Sequence, residues 1–419
     1  MMKVLVIGQG GREHAIVKSL RRCSSITEVH LLPGNSAITE ATLHPILASQ
    51  VADIISLCKN KNIDYVFIGP EQPLVDGLSD QLREAGILVV GPSQAAAKLE
   101  GSKVFAKEFM QRAGVPTAKA QIVSSVDSCL AVANQFTPPY VLKADGLASG
   151  KGVFICSDLG ELKIAAQDLF EQKIFGAAGT QALLEQFTSG WELSYLIFTN
   201  GVEYQALPIA QDHKRLLDNN LGPNTGGMGT VAPLKISSTL ERNIQEQVIL
   251  PTLKQLQTEN LLFRGVLFVG LMIQGDQPSV LEYNVRLGDP ETQVLLPLIE
   301  SDLNLFLMAL ANGKISELKI TPGKFASCVV VASEGYPLTP VMGAEIHGLP
   351  LPDQKDSYSI HSGIKYQNKK WTVEGGRVLG AVGISDSIES ALKKSYSLID
   401  KISFKGMQFR KDIGSNMPN

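Results

Sequence analysis

Four short apolar runs, KVLVIG from Lys3, EVHLLPG, DYVFIGPE and ILVVGPS, open the chain, and between them lie segments such as HAIVKSLRRC and GLSDQLREAG with helical spacing. Strands that alternate with helices fold as a parallel sheet covered on both faces. The runs end at Gly8, Gly34, Gly69 and Gly91, so the loops beyond them, at the carboxyl ends of the strands, are where such a sheet holds a ligand. This N-terminal parallel α/β domain is expected over residues 1–102.

The period then changes. Ser102 is placed to cap a helix through KVFAKEFMQRAG that stops at Gly114 and Pro116. A small α+β unit follows, expected over 123–189, with strands YVLKAD, VFIC and QALLEQF. Longer strands, LSYLIFTNG, VEYQALPIA, GVLFVGLMIQG and SVLEYNVRLG, predict a larger antiparallel unit built from 103–122 and 190–322. A C-terminal α+β domain is expected over 323–419, and no internal repeat is visible.

With QGDQPS as a turn, GVLFVGLMI and SVLEYNVRL form a hairpin whose side chains alternate between faces. Glu282, Asn284 and Arg286 then share one face, and Leu281, Tyr283, Val285 and Leu287 the other. A carboxylate and an amide oxygen at i and i+2 offer two hard oxygen ligands suited to Mg²⁺ carrying phosphates, and the guanidinium suits a phosphoryl group or a carboxylate. On spacing alone a solvated hairpin face fits equally well. Asp289, with Pro290 and Glu291 behind it, reads as a helix start.

Two glycine-rich stretches add to this pattern. KADGLASGKG ends a strand with Lys143 and opens a turn carrying three glycines and Lys151, the ingredients of a backbone-amide cradle for phosphate. It is not a Walker A loop, because Gly152 stands where Ser or Thr is required. DHKR from Asp212 and GPNTGGMG from Gly222 place a second basic cluster beside a second glycine loop. GQGGREH begins like a dinucleotide fingerprint, but Glu13 occupies the third glycine position and EVHLLPG ends without an acid for a ribose, so a nicotinamide cofactor is not expected. A phosphate at that loop and helix N-terminus remains compatible with it.

Taken together, GQGGREHA, PGN, GPEQPLVDGL, LEGSKVFAKEFM, VLKADGLASGKGV, DHKR, GPNTGGMG, EYNVRLGDPETQ, GGRVL and FRKDIG resemble the glycinamide ribonucleotide synthetase family of ATP-grasp enzymes, in the family's order over nearly the whole chain. The resemblance implies ATP-dependent ligation of glycine to 5-phosphoribosylamine in purine biosynthesis, through glycyl phosphate. It implies ATP near Lys103, Lys143 and Lys151, with Glu185 and Phe187 at the adenine and Glu192 at the ribose. It implies Mg²⁺ or Mn²⁺ on Glu282 and Asn284. Arg286, Asp289 and Lys214 are the expected catalytic groups, with Asn224, Thr225 and Gly226 on the acceptor side. The phosphoribosyl end is expected at Gly10, Gly11, Arg12 and Glu13, at Pro33, Gly34 and Asn35, and at Gly69, Pro70 and Glu71.

Many ATP-grasp enzymes carry a further acid about a dozen residues before the metal pair; here the position falls near Gly270. The chain also has His361-Ser-Gly-Ile364 where the family often has His-Ala-Gly-Thr, and Trp191 in place of a shorter side chain. A different ATP-grasp carboxylate–amine ligase and a non-catalytic nucleotide-binding regulator are the competing readings.

Composition limits the partners. Among 419 residues, 38 basic and 41 acidic side chains leave a formal charge of -3, so no overall positive field favours nucleic acid. Five scattered cysteines without CxxC spacing argue against a disulfide framework, and no run approaches the ~20 apolar residues of a membrane helix. A cytoplasmic, small-molecule enzyme is expected, as a monomer or weak homodimer.

Overall fold

The structure, a computed structural model, describes residues 1–147 and 152–415, so Lys151 lies outside the described residues. Strands Met2–Gly8, Ile26–Pro33, Thr42–Leu43, Tyr65–Ile68 and Val89–Val90 form one sheet in which every pairing is parallel. Met2–Gly8 lies at its centre, paired to Ile26–Pro33 on one side and Tyr65–Ile68 on the other. The chain therefore reverses its winding at the end of Met2–Gly8, and the crevice of a doubly wound sheet opens there.

Helix Gly11–Arg21 leaves that crevice and is buried on nearly every side, Arg12, His14 and Lys18 included. One face covers the parallel sheet and the other meets strand Ser357–His361 of the C-terminal unit. Its start is held by Glu13, whose carboxylate accepts the Gly10 N–H at 2.8 Å. That carboxylate fills the space beside Gly8 and Gly69, where any Cβ would overlap it.

Ser102 accepts the Phe105 N–H at 3.0 Å, and Gly114, at φ +69°, ends the helix Lys103–Ala113. Four antiparallel strands, Ala120–Val123, Tyr140–Ala144, Val153–Cys156 and Ala182–Gln186, make the small unit. Its core, from Val123 and Cys129 to Leu169 and Leu184, is separate from the rest. By contrast, Val4 and Phe67 of the parallel sheet, Leu196 and Phe268 of the large unit, and Val330 and Val382 of the C-terminal unit share one cluster. Three units thus make one body, to which the small unit is attached as a second.

The large unit's sheet runs Tyr204–Ala206, Trp191–Thr199, Gly265–Gln274, Gln277–Asn284. Gln277–Asn284 is the edge strand of this sheet, which tolerates Pro278. The turn is shorter than expected: Gln274 pairs with Gln277, leaving only Gly275 and Asp276 between the strands. A bulge also interrupts the ladder, since Gly270 pairs with Glu282 but Leu271 with Val280. The extra residue takes Leu281 out of phase. Val280, Tyr283, Val285 and Leu287 are buried, while Leu281, expected among them, turns to the cavity.

Gln211–Asp212 and Gly229–Ala232 do not join that sheet. They extend the C-terminal one, in the order Gln211–Asp212, Gly229–Ala232, Phe325–Ala332, Arg377–Ser385, Ser357–His361. The glycine loop between them is therefore carried by the C-terminal sheet, across the boundary expected at 322/323. Among the described residues no helix is long and apolar enough to cross a membrane.

Candidate active site

One cavity of about 320 Å³ opens where the four units meet. At its first end, Lys103 and Lys107 stand one turn apart on the helix that Ser102 caps, and so share a face. Glu185, on the last strand of the small unit, is 4% exposed and joins Lys107 at 2.8 Å and Lys143 at 2.7 Å. Burial pushes its carboxyl up, but Lys143 and Lys107 outweigh that and hold it below the ordinary range. Lys143 also donates to the Leu281 carbonyl at 3.2 Å, a contact that the bulge makes available. Lys103 donates to the Gly146 carbonyl at 3.0 Å, and burial lowers its pKa.

The middle of the cavity belongs to the hairpin. Glu282 is open to the cavity's solvent and enclosed by protein elsewhere; burial raises its pKa, and Lys214, Lys103 and Lys143 bring it below the ordinary value. Asn284 offers its amide nitrogen to Glu282 at 3.4 Å and its oxygen to Arg286 at 3.2 Å. Gly270 lies opposite Glu282, so the previous strand supplies no acid there. Among the described residues no group of three or more His, Cys, Asp or Glu could hold a metal alone. Turning the Asn284 amide over would set its oxygen beside the Glu282 carboxylate, and two such hard donors would fit a Mg²⁺-type ion whose shell is otherwise filled by phosphate and water.

Beyond the hairpin a ladder of charges reaches the parallel sheet. Arg286 meets Glu100 at 2.7 Å and Glu71 at 3.3 Å, and Glu100 also accepts the Val285 N–H at 2.7 Å. Arg12 lies 3.8 Å from Glu71, 2.6 Å from Glu13, and donates to the Leu287 carbonyl at 3.2 Å. Arg286 is thus fixed by two carboxylates from the N-terminal unit, an arrangement its place on the hairpin did not suggest.

The far wall carries Asp212, Lys214, Thr225, Gly226, Asp289, Glu291 and Arg377. Lys214 lies 3.6 Å from Asp212, whose carboxyl burial pushes up to about 7 despite that neighbour. Asp289 does not cap the helix Glu291–Leu295; Pro290 takes the capping position. Asp289 instead accepts from Gln293 at 2.7 Å and pairs with Arg377 at 3.2 Å.

Of the expected site residues, Lys103, Lys143, Glu185, Lys214, Thr225, Gly226, Glu282, Asn284, Arg286, Asp289, Arg12 and Glu71 line this cavity. Glu192 and Phe187 are exposed outside its lining, although the charge of Glu192 acts on Lys214. Asn224, Gly10, Gly11, Glu13, Pro33, Gly34, Asn35, Gly69 and Pro70 also lie outside the lining. Asn35 is bound to the Gln9 and Ser362 carbonyls at 2.8 and 3.2 Å, joining the N-terminal loops to the C-terminal unit.

Lys107, Glu100, Asp212, Glu291 and Arg377 are in the wall without having been singled out from the sequence. Lys107 was accessible through its i+4 spacing from Lys103. Arg377 lies in the GGRVL stretch, but nothing local marks it as a wall residue, because its partners lie 88 and 151 residues away.

Fold and cavity together define an ATP-grasp protein. Family models match most of the chain: the phosphoribosylglycinamide synthetase N domain over residues 2–100, its ATP-grasp (A) domain over 101–292 and its C domain over 326–416. The chain belongs to the phosphoribosylglycinamide synthetase family. A phosphoribosylamine–glycine ligase of Chlorobaculum tepidum is 40% identical over 425 residues, covering 99% of each chain. That of Caldanaerobacter subterraneus subsp. tengcongensis is 38% identical over 417 residues, covering 99% of this chain and all of that one. The crystal structure of the Thermotoga maritima phosphoribosylamine–glycine ligase superimposes with a TM-score of 0.86 at 34% identity, covering 98% of this chain and 100% of that one.

Proposed function

We propose that this chain joins glycine to 5-phosphoribosylamine using ATP, giving glycinamide ribonucleotide, ADP and phosphate. The observation that carries the reading is that one cavity brings Lys103, Lys143, Glu282 and Asn284 together with Arg12 and Glu71 from the switch point of the parallel sheet. In this reading a nucleoside triphosphate takes the lysine-lined end and the phosphorylated amine the opposite one.

In the first step a carboxylate oxygen of glycine attacks the γ-phosphorus; the new P–O bond forms as the bridging bond breaks and ADP leaves with its electron pair. In the second, the amine nitrogen attacks the carbonyl carbon of glycyl phosphate, the C–O bond breaks, phosphate departs and nitrogen loses a proton. Both steps require positioning and charge neutralisation rather than a protein nucleophile. Glu282 and Asn284 would hold Mg²⁺ or Mn²⁺, which supplies charge neutralisation on the phosphates. Lys103 and Lys143 bind the phosphate chain, joined by Lys151, and Glu185 and Phe187 hold the adenine with Glu192 at the ribose. Arg286 orients the glycine carboxylate or the moving phosphoryl group. Asp289, Lys214 and the segment Asn224 to Gly226 face the amine, whose phosphoribosyl end reaches the loops at Gly10 to Glu13, Pro33 to Asn35 and Gly69 to Glu71.

The same reading places the protein in the cytoplasm as a monomer or weak homodimer, without nucleic acid or membrane among its partners. Glycine labelled with heavy oxygen in its carboxylate tests the chemistry. One labelled oxygen per phosphate released supports the acyl phosphate; unlabelled phosphate overturns it.

A further inference from the structure

At Gly226 the loop that faces the amine is gripped by the C-terminal unit through the two peptide groups that flank this residue. Gly226 donates its N–H to the Tyr336 hydroxyl at 2.9 Å, and its carbonyl accepts from Arg377 Nη1 at 2.7 Å. The same guanidinium reaches the Asp289 carboxylate at 3.2 Å and the Asp289 carbonyl. Arg377 thus ties together two strands of the cavity wall that are far apart in sequence: the glycine loop and the turn leaving the metal-binding hairpin.

The local sequence makes this grip possible. Gly376, beside Arg377, lies against the face of the Tyr336 ring, where a Cβ would overlap the aromatic carbons. Gly375 passes so close to Gly363 that a Cβ on Gly363 would fall 2.6 Å from the Gly375 Cα. Two glycines therefore let the Tyr336 hydroxyl and the Arg377 guanidinium both reach Gly226, one at its N–H and the other at its carbonyl. Both groups crowd the Gly226 Cα: a Cβ there would meet the Arg377 guanidinium carbon at 3.2 Å and the Tyr336 oxygen at 3.3 Å. Charge-assisted contacts to two carbonyls and a carboxylate take up three of the five guanidinium N–H groups, which suits holding protein groups in place.

We propose that Tyr336 and Arg377 are positioning residues for the acceptor half of the cavity: they hold the Gly226 peptide and Asp289 in the geometry that receives the acid and the amine. The proposal rests on the function given above. Neither residue contacts the groups at the other end, Lys103, Lys107, Lys143 and Glu185. The clamp therefore acts on the placement of the acid and the amine and not on nucleotide binding.

The test compares Tyr336→Phe, which removes only the acceptor for one N–H, and Arg377→Lys, which keeps the charge but cannot span both carbonyls and the carboxylate. Apparent constants for ATP, glycine and phosphoribosylamine are measured, together with direct binding of a non-hydrolysable ATP analogue. For Arg377→Lys we expect kcat/KM for glycine and phosphoribosylamine to fall by about tenfold or more, with a smaller loss in Tyr336→Phe, while affinity for the analogue stays within about twofold. Parallel weakening of analogue binding, or wild-type constants in both variants, would overturn the clamp. The wild type separates this failure from that of the underlying reading. If it ligates glycine normally while the variants behave alike, only the clamp falls; if it does not use glycine, the reading falls and takes the clamp with it.

Discussion

At the residue scale the central groups are Glu282 and Asn284, and chemistry separates from stability cleanly only at the first. Glu282 is open to the cavity, and solvent-facing substitutions usually change stability by within about 0.5 kcal/mol. Glu282→Gln removes the charge that would meet the cation, so turnover should drop on the order of a hundredfold or more with little change in thermal midpoint. Asn284 is different, because its oxygen also accepts from Arg286 in a buried setting. Asn284→Leu should lose turnover similarly and about 1 kcal/mol of stability besides. A Glu282→Gln enzyme that folds and turns over at the wild-type rate with saturating Mg²⁺ would show that this pair is not the metal site. Arg12→Ala makes a second case. Arg12 bonds to Glu13 and the Leu287 carbonyl at the far end of the cavity from Lys143. The variant should use phosphoribosylamine poorly while ATP affinity stays nearly intact, and a loss confined to ATP would contradict the placement. The charged residues of the hairpin were legible from their alternation and chemical types. The ladder from Arg286 to Glu100 and Glu71 was not, since it depends on contacts 186 and 215 residues apart, which no local pattern encodes.

At the scale of elements, two histidines tie the C-terminal unit to its surroundings as neutral rings. His213 Nε2 accepts the Gly414 N–H at 3.0 Å while Nδ1 faces the Gly229 carbonyl; His361 Nδ1 faces the Ala37 carbonyl at 2.7 Å. Burial pushes each down to about 4. The unfolded chain then binds protons near pH 6.5 that the folded one refuses, so stability is full above that pH and falls as pH drops from about 6.5 towards 4. Each ring contributes roughly 3 kcal/mol over the whole window. Thermal midpoints between pH 6.5 and 5 should decline on acidification, partly offset by Asp212, whose raised carboxyl takes up a proton in the folded chain over the same window. His213→Gln, which retains a donor and an acceptor, should show a shallower decline, and an unchanged slope would remove His213 from the explanation. The helix Lys103–Ala113 was readable because Ser102 and Gly114 mark its ends chemically. The bulge at Leu281 was not, because an extra residue in one strand is defined only by what lies opposite. Likewise Gly229–Ala232 was not legible as a strand, because its place in a sheet depends on Phe325–Ala332, almost a hundred residues later.

At the scale of the whole molecule, the separate core of the small unit and the shared core of the other three suggest one moving part against one fixed body. Lys143, Glu185 and Gly146 reach the fixed body through Leu281, Lys107 and Lys103. ATP bound between them should draw the small unit closed, so amide exchange across residues 140–156 should slow when nucleotide is added. Equal exchange with and without ATP would argue against closure. Fold class was legible at this scale because alternating strands and helices admit few arrangements; the interlocking of the C-terminal unit was not, since long-range pairings supply it. The central claim is that a single cavity couples ATP cleavage to the joining of an acid and an amine, and ADP release with ATP, Mg²⁺, glycine and freshly generated phosphoribosylamine, each omitted in turn, tests it most directly. We expect sustained ADP release only when all four are present; release at the full rate without glycine or without the amine would contradict it.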